Sequence, residues 1–572
     1  MKERSFTLNE ILKMVKYLKV HSKETVYSIL IIIGSTVTMV FLPLAYKNIV
    51  DRGIMQRNLS NIAYNLLLVV LLILLKEGFN LFQTIISSDI RQKVFSEIRF
   101  DVYRHLQEMS LNFYSKKQTG SLISRIVNDV DALEHLMTEK FVFLLRDFFI
   151  VSAIISIIFF FSYKFALLSL LFIPIFALVF RTFKKTVYNM GKKVVEKQEN
   201  LMGNLQETIA GVETIQSYDT SKSKLKEVNH RIADTEKTKK LLYIRRALAQ
   251  SSSVSISIFS MVLLWGYGGY EVLEGRLSMG VLIAISYYAN NLIEYITDAF
   301  NIIINMQIAL PSVRRIFDML DTEPEIKDRE NAVELYNPKG DILFENTCFS
   351  YEKGRYILKD VNLSCSANTF IGIVGESGQG KTSFVKLIQR FYDPVSGNIF
   401  LDGINLKNIK IECLRRHIAM INQETFIFNA SIKENILVSR GNIPMERVIW
   451  AAKIADVHDF IISLPEGYDT IVGERGMGLS GGQKKKIAIA RAVLLDSKII
   501  ILDEATADLD EFSEKSVLNC IKEISKDKVI FMITHKLSNL SFADRILAVS
   551  NSKILEYKSL QEYRAFLEST AS

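Results

Sequence analysis

Ile371-Gly372-Ile373-Val374 followed by Gly375-Glu376-Ser377-Gly378-Gln379-Gly380-Lys381-Thr382 decides the fold of the C-terminal half. The first four residues are an apolar run of strand length, and Ser383–Phe391 after the glycines has helical character. A Gly-x-x-x-x-Gly-Lys-Thr turn between strand and helix is a phosphate-binding loop. Its glycines let backbone N–H groups turn inward as an anion nest, and the helix N-terminus adds partial positive charge. In such loops the lysine, here Lys381, reaches the β- and γ-phosphates, and the hydroxyl of Thr382 takes Mg²⁺. A second apolar run, Ile499–Leu502, ends in Asp503 and Glu504. A strand-end aspartate beside the loop can hold the same Mg²⁺, and the glutamate after it is placed to polarise an attacking water.

Downstream, Leu479-Ser480-Gly481-Gly482-Gln483 opens a helix running through Lys484–Leu495. A serine and two glycines at a helix start make another anion-binding element. One nucleotide does not need two such loops from one chain, so this one is expected to close over the nucleotide of a partner chain. From Asp341 onward strands alternate with helices, the pattern of an α/β domain with a mainly parallel sheet.

The N-terminal half is of another kind. Hydrophobic residues make up 49% of the 572-residue chain, and its long apolar runs lie before Leu310. Six approach the ~20 residues a helix needs to cross a bilayer: Thr25–Tyr46, Ile62–Ser87, Phe141–Phe161, Phe165–Phe180, Ala249–Tyr270 and Met279–Ile304. The fourth is short and carries Pro174, so its helix is expected to continue into the polar sequence after Arg181. Before the first, Leu8, Ile11, Leu12, Val15 and Leu18 predict an amphipathic surface helix. The first run is too long for a signal core and has no small-residue cleavage site after it. Loops alternate in length, and the long ones are basic, as is the whole chain at net +8. The positive-inside rule puts those loops, the N-terminus and the C-terminal domain in the cytosol. Basic segments that flank spans speak against a nucleic-acid partner. The four cysteines, Cys348, Cys365, Cys413 and Cys520, have no metal-ligand or redox spacing, which fits a reducing compartment.

Each long loop reads as a helical hairpin. Ser88 to Tyr114 is about 27 residues, or roughly 40 Å of helix. Phe95, Ile98, Val102, Leu106 and Met109 keep helical spacing. The tips fall near Ser115–Gly120 and Gly211–Ser217, where they can pass force to a cytosolic engine.

The region Asp341–Glu556 resembles the nucleotide-binding domain of ABC transporters, and Leu479–Gln483 is the signature that carries the resemblance. The resemblance implies that Tyr351 stacks on adenine and that Gln423 senses Mg²⁺ and the membrane domain. It implies that His535 contacts the γ-phosphate, and that Gly473-Glu474-Arg475-Gly476 meets the coupling tips. The membrane part resembles a six-helix, domain-swapped ABC exporter. Its Phe113–Asp129, with Thr119, Gly120 and Arg125, matches the first coupling loop, and Glu207, Gly211 and Ile215 match the second. The implied architecture is a membrane α-helical domain (residues 1–320), a linker (321–340) and an α/β P-loop ATPase domain (341–572). The implied protein works as a dimer, homodimeric in the first instance and otherwise heterodimeric, in the cell membrane. It would couple hydrolysis of Mg²⁺-ATP to alternating-access efflux of an amphipathic drug, lipid or peptide. An importer on the same fold is the alternative, as is an ATP-gated channel, which Glu504 and His535 oppose because a gate needs binding more than fast hydrolysis. Two positions depart from the family pattern. Ala507-Asp508 stand where serine then alanine are usual, and Lys486 replaces a common arginine; the first bears on whether the two ATP sites are equivalent.

Cargo is read from charge inside the membrane. Asn290, Glu294, Asp298, Asn301 and Asn305 recur at helical spacing on the sixth run. Lys76 and Glu77 lie midway along the second, and Arg146 and Asp147 just inside the third. Two cations against four carboxylates leave −2 per chain, which favours a cationic or zwitterionic amphiphile over a polyanionic lipid. The competing reading is that Lys76 and Arg146 pair with these acids and hold the bundle together.

Overall fold

The computed structural model describes residues 17, 22–117, 119–135, 141–352, 354–438, 443–473, 476, 478–506, 511–525 and 527–571. The chain divides into two compact units. The first comprises residues up to Glu108 together with Lys116–Glu323; the second comprises Met109–Ser115 and Pro324 onward.

The first unit is helical. Its six long helices are α1 (Ser22–Asn48), α2 (Leu59–Glu108), α3 (Phe141–Phe161), α4 (Tyr163–Ala210), α5 (Ser221–Leu273) and α6 (Met279–Leu320). Each contains one of the six apolar runs. Ser22–Ile54, Leu59–Glu108, Tyr163–Ala210 and Ser221–Leu273 are long and apolar enough to cross a membrane. Several side chains of α3 and α6 fall outside the described residues. With 50, 48 and 53 residues, α2, α4 and α5 span about 70–80 Å at 1.5 Å per residue, more than twice the ~30 Å of a hydrocarbon core. The surplus forms the hairpins. α4 continues unbroken through Pro174, and its turn with α5 falls at Gly211–Thr220 around the short helix Val212–Ser217. In the C-terminal half of α2, Val94, Phe95, Ile98, Val102 and Leu106 are all buried, so the helical spacing in the sequence marks the packed face.

The first hairpin is less regular than the second. α2 stops at Glu108, and a separate helix, Leu111–Ser115, belongs to the second unit. There Asn112 donates to both carboxylate oxygens of Glu325, at 2.9 and 3.0 Å. The return contains a π-helical turn, Arg125–Asp129. Asp129 is buried there in a two-pronged pair with Arg315 of α6, at 2.6 and 2.9 Å. The expected N-terminal amphipathic helix lies outside the described residues except for Tyr17, whose hydroxyl donates to Asp101 at 3.3 Å.

The second unit holds two larger sheets. β1 (Ile342–Phe349), β2 (Leu358–Cys365), β4 (Ser396–Leu401) and β5 (Ile404–Asn405) form an antiparallel one in the order β2-β1-β4-β5. The other contains β3 (Phe370–Val374), β6 (Ile418–Ile421), β9 (Ile499–Asp503), β10 (Val529–Ile533), β11 (Arg545–Ser550) and β12 (Lys553–Tyr557), ordered β12-β11-β3-β10-β9-β6. Two-residue β7 (Ala430–Ser431) and β8 (Ile471–Val472) pair separately. The central strands are buried on both faces. Ile500, Leu502, Ile530 and Met532 enter one core, and Ile499, Ile501, Val529, Phe531 and Ile533 the other. That division is the period-two alternation of a strand applied to a run with no polar face.

Candidate functional site

Register places the site. β3, β10, β9 and β6 are neighbours and parallel, with Ile533 opposite both Ile373 and Asp503, and Leu502 opposite Ile421. Four strands therefore end at one level, and ligands of open α/β sheets bind outside such carboxyl ends. The segments issuing from those ends carry Gly375–Thr382, His535, Asp503–Glu504 and Gln423.

The loop from β3 turns into α7 (Lys381–Ile388) through three glycines with positive φ: Gly375 at +148°, Gly378 at +81° and Gly380 at +107°. At Gly375 a Cβ would also stand 2.4 Å from the carbonyl oxygen of Val549, so glycine is required on two counts. Glu376, Ser377 and Gly378 are exposed at the crown of the loop, and Gln379 is half-buried. Lys381 is buried, and its ammonium donates to the carbonyls of Gly375 at 2.7 Å and Glu376 at 3.0 Å. Burial pulls its pKa down, which leaves a cation whose charge an anion would stabilise.

Asp503 and Glu504 differ sharply. Thr382 donates its hydroxyl to Asp503 Oδ1 at 3.3 Å. Burial pushes the Asp503 carboxyl above its usual range. A desolvated carboxylate beside a hydroxyl is the oxygen donor set a hard divalent cation takes, so these residues fit Mg²⁺. Glu504 lies just past the strand in the left-handed region at φ +49°, with its N–H on the carbonyl of Ile533. This backbone turn swings its side chain to His535, whose Nε2 lies 2.8 Å from Glu504 Oε1 and 3.4 Å from Lys381 Nζ. A carboxylate, an imidazole and an ammonium thus meet where four strands end. That arrangement can hold a polyphosphate and accept a proton beside it.

Tyr351 is 42% exposed. Its ring meets Phe349 and Tyr392 edge-on, at centroid distances of 4.9 and 5.1 Å. Its hydroxyl lies 2.9 Å from Ser383 Oγ on α7. That bond ties the aromatic to the phosphate loop, and nothing in the sequence signalled it. Gln423 has an exposed side chain, and its carbonyl accepts from buried Lys485. Ser480 caps helix α8 (Gly481–Leu495): its hydroxyl accepts from the N–H of Gln483, and the Gln483 side chain accepts from the N–H of Ser480. The helix start expected to bind an anion carries a capping box, with Ser480 and Gly481 exposed. A Cβ at Gly481 would meet no atom within 4 Å, so its backbone can be approached closely. Lys486 pairs with Asp456 at 2.7 Å. Glu474, Arg475 and 507–510 lie outside the described residues.

In the membrane unit Asn290, Glu294 and Asp298 are all exposed on one face of α6, while Leu282, Ile285, Tyr288, Ala289 and Leu292 are buried on the other. The backbone of Asn301 and Asn305 continues that helix; their side chains are outside the described set. Arg146 pairs with Asp147 at 2.8 Å, and its guanidinium lies 5.6 Å from the Tyr295 ring centroid. Lys76 is half-buried and Glu77 exposed. Among the described residues Lys76, Glu77, Glu294 and Asp298 form no ion pair.

Comparison with known proteins supplies the family. Residues 25–296 match the ABC transporter transmembrane region, and residues 358–507 match the ABC transporter family. An ATP-dependent lipid A-core flippase of Syntrophus aciditrophicus (strain SB) is 32% identical over 518 residues, covering 89% of this chain and 85% of its own. The ABC transporter ATP-binding protein YknU of Bacillus subtilis (strain 168), itself uncharacterized, is 31% identical over 546 residues, 94% of this chain and 92% of its own. The structure of a bacterial Atm1-family ABC exporter with ATP bound superposes with a TM-score of 0.89 at 24% identity, over 97% of this chain and 99% of that one. A multi-pass helical domain fused to an ATP-binding cassette, with relatives matched along nearly the whole length, places this chain in the ABC transporter family as an ATP-hydrolysing transporter built on the exporter fold.

Proposed function

We propose that this chain pairs with a second copy of itself in the cell membrane, cassettes in the cytosol, and exports cationic or zwitterionic amphiphiles. In this reading Tyr351 takes the adenine and Gly375–Thr382 wrap the phosphates, with Lys381 on their charge. Thr382, Asp503 and Gln423 hold Mg²⁺, which when bound neutralises phosphate charge. Glu504 takes the proton of the attacking water, and His535 orients that carboxylate and faces the γ-phosphate. Ser480–Gln483 close over the nucleotide of the second copy. Hairpin tips carry the closure to the membrane helices as rigid levers; the second tip exposes Ile209, Val212 and Tyr218, an apolar edge suited to docking on the other cassette.

The observation that carries the choice of cargo is the exposed acidic face of α6. A charge at the bilayer centre costs about 2.5–3.5 kcal/mol even on insertion scales, so such a face is expected to line a water-filled cavity. Arg146 pairs with Asp147, and Glu294 and Asp298 are both exposed one helical turn apart. The test is Glu294→Gln with Asp298→Asn, assayed for transport of a cationic and a neutral amphiphile of similar size. Selective loss of the cationic one supports the proposal. Equal loss of both, with a lower melting temperature, makes these acids structural.

A further inference from the structure

Helix α8 carries a residue that the ATPase mechanism above does not use. Lys485 lies in the second turn of α8 and is 5% exposed. A buried ammonium must find acceptors or lose its charge. Lys485 finds two consecutive backbone carbonyls: it donates to Asn422 O at 2.6 Å and also to Gln423 O. Both belong to the segment that leaves β6 at the site.

Holding the two carbonyls of adjacent residues fixes the peptide planes on both sides of the Gln423 Cα, and with them the direction of its Cα–Cβ bond. The Gln423 side chain is exposed, so packing does not orient it. Arg491, further along α8, holds Phe426 of the same segment and Asn435 of the helix that follows it. Its guanidinium donates to Phe426 O at 2.7 Å and to Asn435 O at 2.6 Å. Lys485 is therefore the end of a two-point clamp that lies nearer the site.

We propose that Lys485 is a positioning residue: it aims Gln423 at the Mg²⁺ of the nucleotide site by tying the backbone of Asn422–Gln423 to α8. The inference rests on the reading of Gln423 as a metal ligand. Because α8 begins with Ser480-Gly481-Gly482, a shift of that helix is transmitted to Gln423 through this contact.

The test measures Mn²⁺ affinity of the ATP-loaded full-length dimer by electron paramagnetic resonance, in a Glu504→Gln background so that no turnover intervenes. Lys485→Met is expected to raise the Mn²⁺ dissociation constant about five- to tenfold and to leave metal-free ATP binding within twofold. Lys485→Gln keeps a neutral donor with shorter reach; it gives a smaller shift and stands in where Lys485→Met does not accumulate. Added to Gln423→Ala, either substitution should produce no further shift. Unchanged Mn²⁺ affinity with a lower melting temperature would overturn the inference, since it is what a purely structural lysine gives. A shift that adds to that of Gln423→Ala would overturn it as well. If Gln423→Ala alone leaves Mn²⁺ affinity unchanged, the reading of Gln423 is wrong and the inference falls with it.

Discussion

Replacing Glu504 by glutamine removes a proton acceptor while changing almost nothing else. The amide has the same length, and it keeps an oxygen or nitrogen to face His535 Nε2 across the present 2.8 Å. The left-handed backbone at φ +49° is available to both residues at a similar cost of about 1 kcal/mol. Thr382, Lys381 and the glycines of the loop do not depend on the carboxylate, so ATP binding should persist. Removing one negative charge from beside Lys381 also eases the approach of a polyphosphate. What is lost is general-base catalysis, typically about 10²–10⁴-fold, or roughly 2.7–5.4 kcal/mol of barrier at 1.36 kcal/mol per tenfold. A turnover on the order of 10 s⁻¹ would fall to about 0.1 s⁻¹ or below. The assay is phosphate release by the purified dimer in lipid nanodiscs, with ATP retention on a rapid spin column run beside it. Slow hydrolysis with retained ATP is the expected pair. Turnover within threefold of the parent would refute the assignment of Glu504 as the base.

Lys381→Ala should instead weaken ATP binding ten- to a hundredfold, from the loss of a charge-assisted contact of about 1.5–3 kcal/mol, measured by calorimetry. Asp503→Asn should abolish hydrolysis yet stabilise the nucleotide-free protein at neutral pH. The folded pKa of Asp503 lies above its unfolded value, so ionisation as pH rises through that window opposes folding. The melting temperature of the nucleotide-free protein should therefore rise, and an unchanged or lower value would contradict the burial argument. A cysteine at Ser217 paired with one at Glu424 should form a disulfide between chains, seen as a dimer on a non-reducing gel; a cross-link confined to one chain would contradict the swapped docking of the second tip.

Much of this was legible because the informative residues are consecutive. The phosphate loop, Asp503–Glu504 and the signature each lie in an unbroken stretch, and the strand before the loop is marked by a run of apolar residues. The second hairpin was also legible: α4 ends at Ala210 and α5 begins at Ser221, where the apolar spacing and turn residues change. The first was harder. Met109–Ser115 leaves the helix to join the cassette unit through Asn112 and Glu325, residues 213 apart in the chain, and no local pattern encodes such a partner. For the same reason the sequence was silent on the Tyr351–Ser383 bond, the Arg315–Asp129 pair and the Lys485 contact with Gln423. Each joins distant segments whose proximity only the packed structure supplies. The serine of the signature also accepts from the N–H of Gln483, so its hydroxyl satisfies its own helix, a role the glycines beside it do not announce.

The central claim, that hydrolysis at this cassette drives a cationic amphiphile out of the cytosol, is tested most directly by transport into sealed proteoliposomes whose cassettes face the outside. The account predicts that a cationic fluorescent amphiphile accumulates inside only with Mg²⁺-ATP, and that accumulation ceases in Glu504→Gln. Accumulation that survives Glu504→Gln, or cargo that instead leaves preloaded vesicles when ATP is added outside, would contradict it.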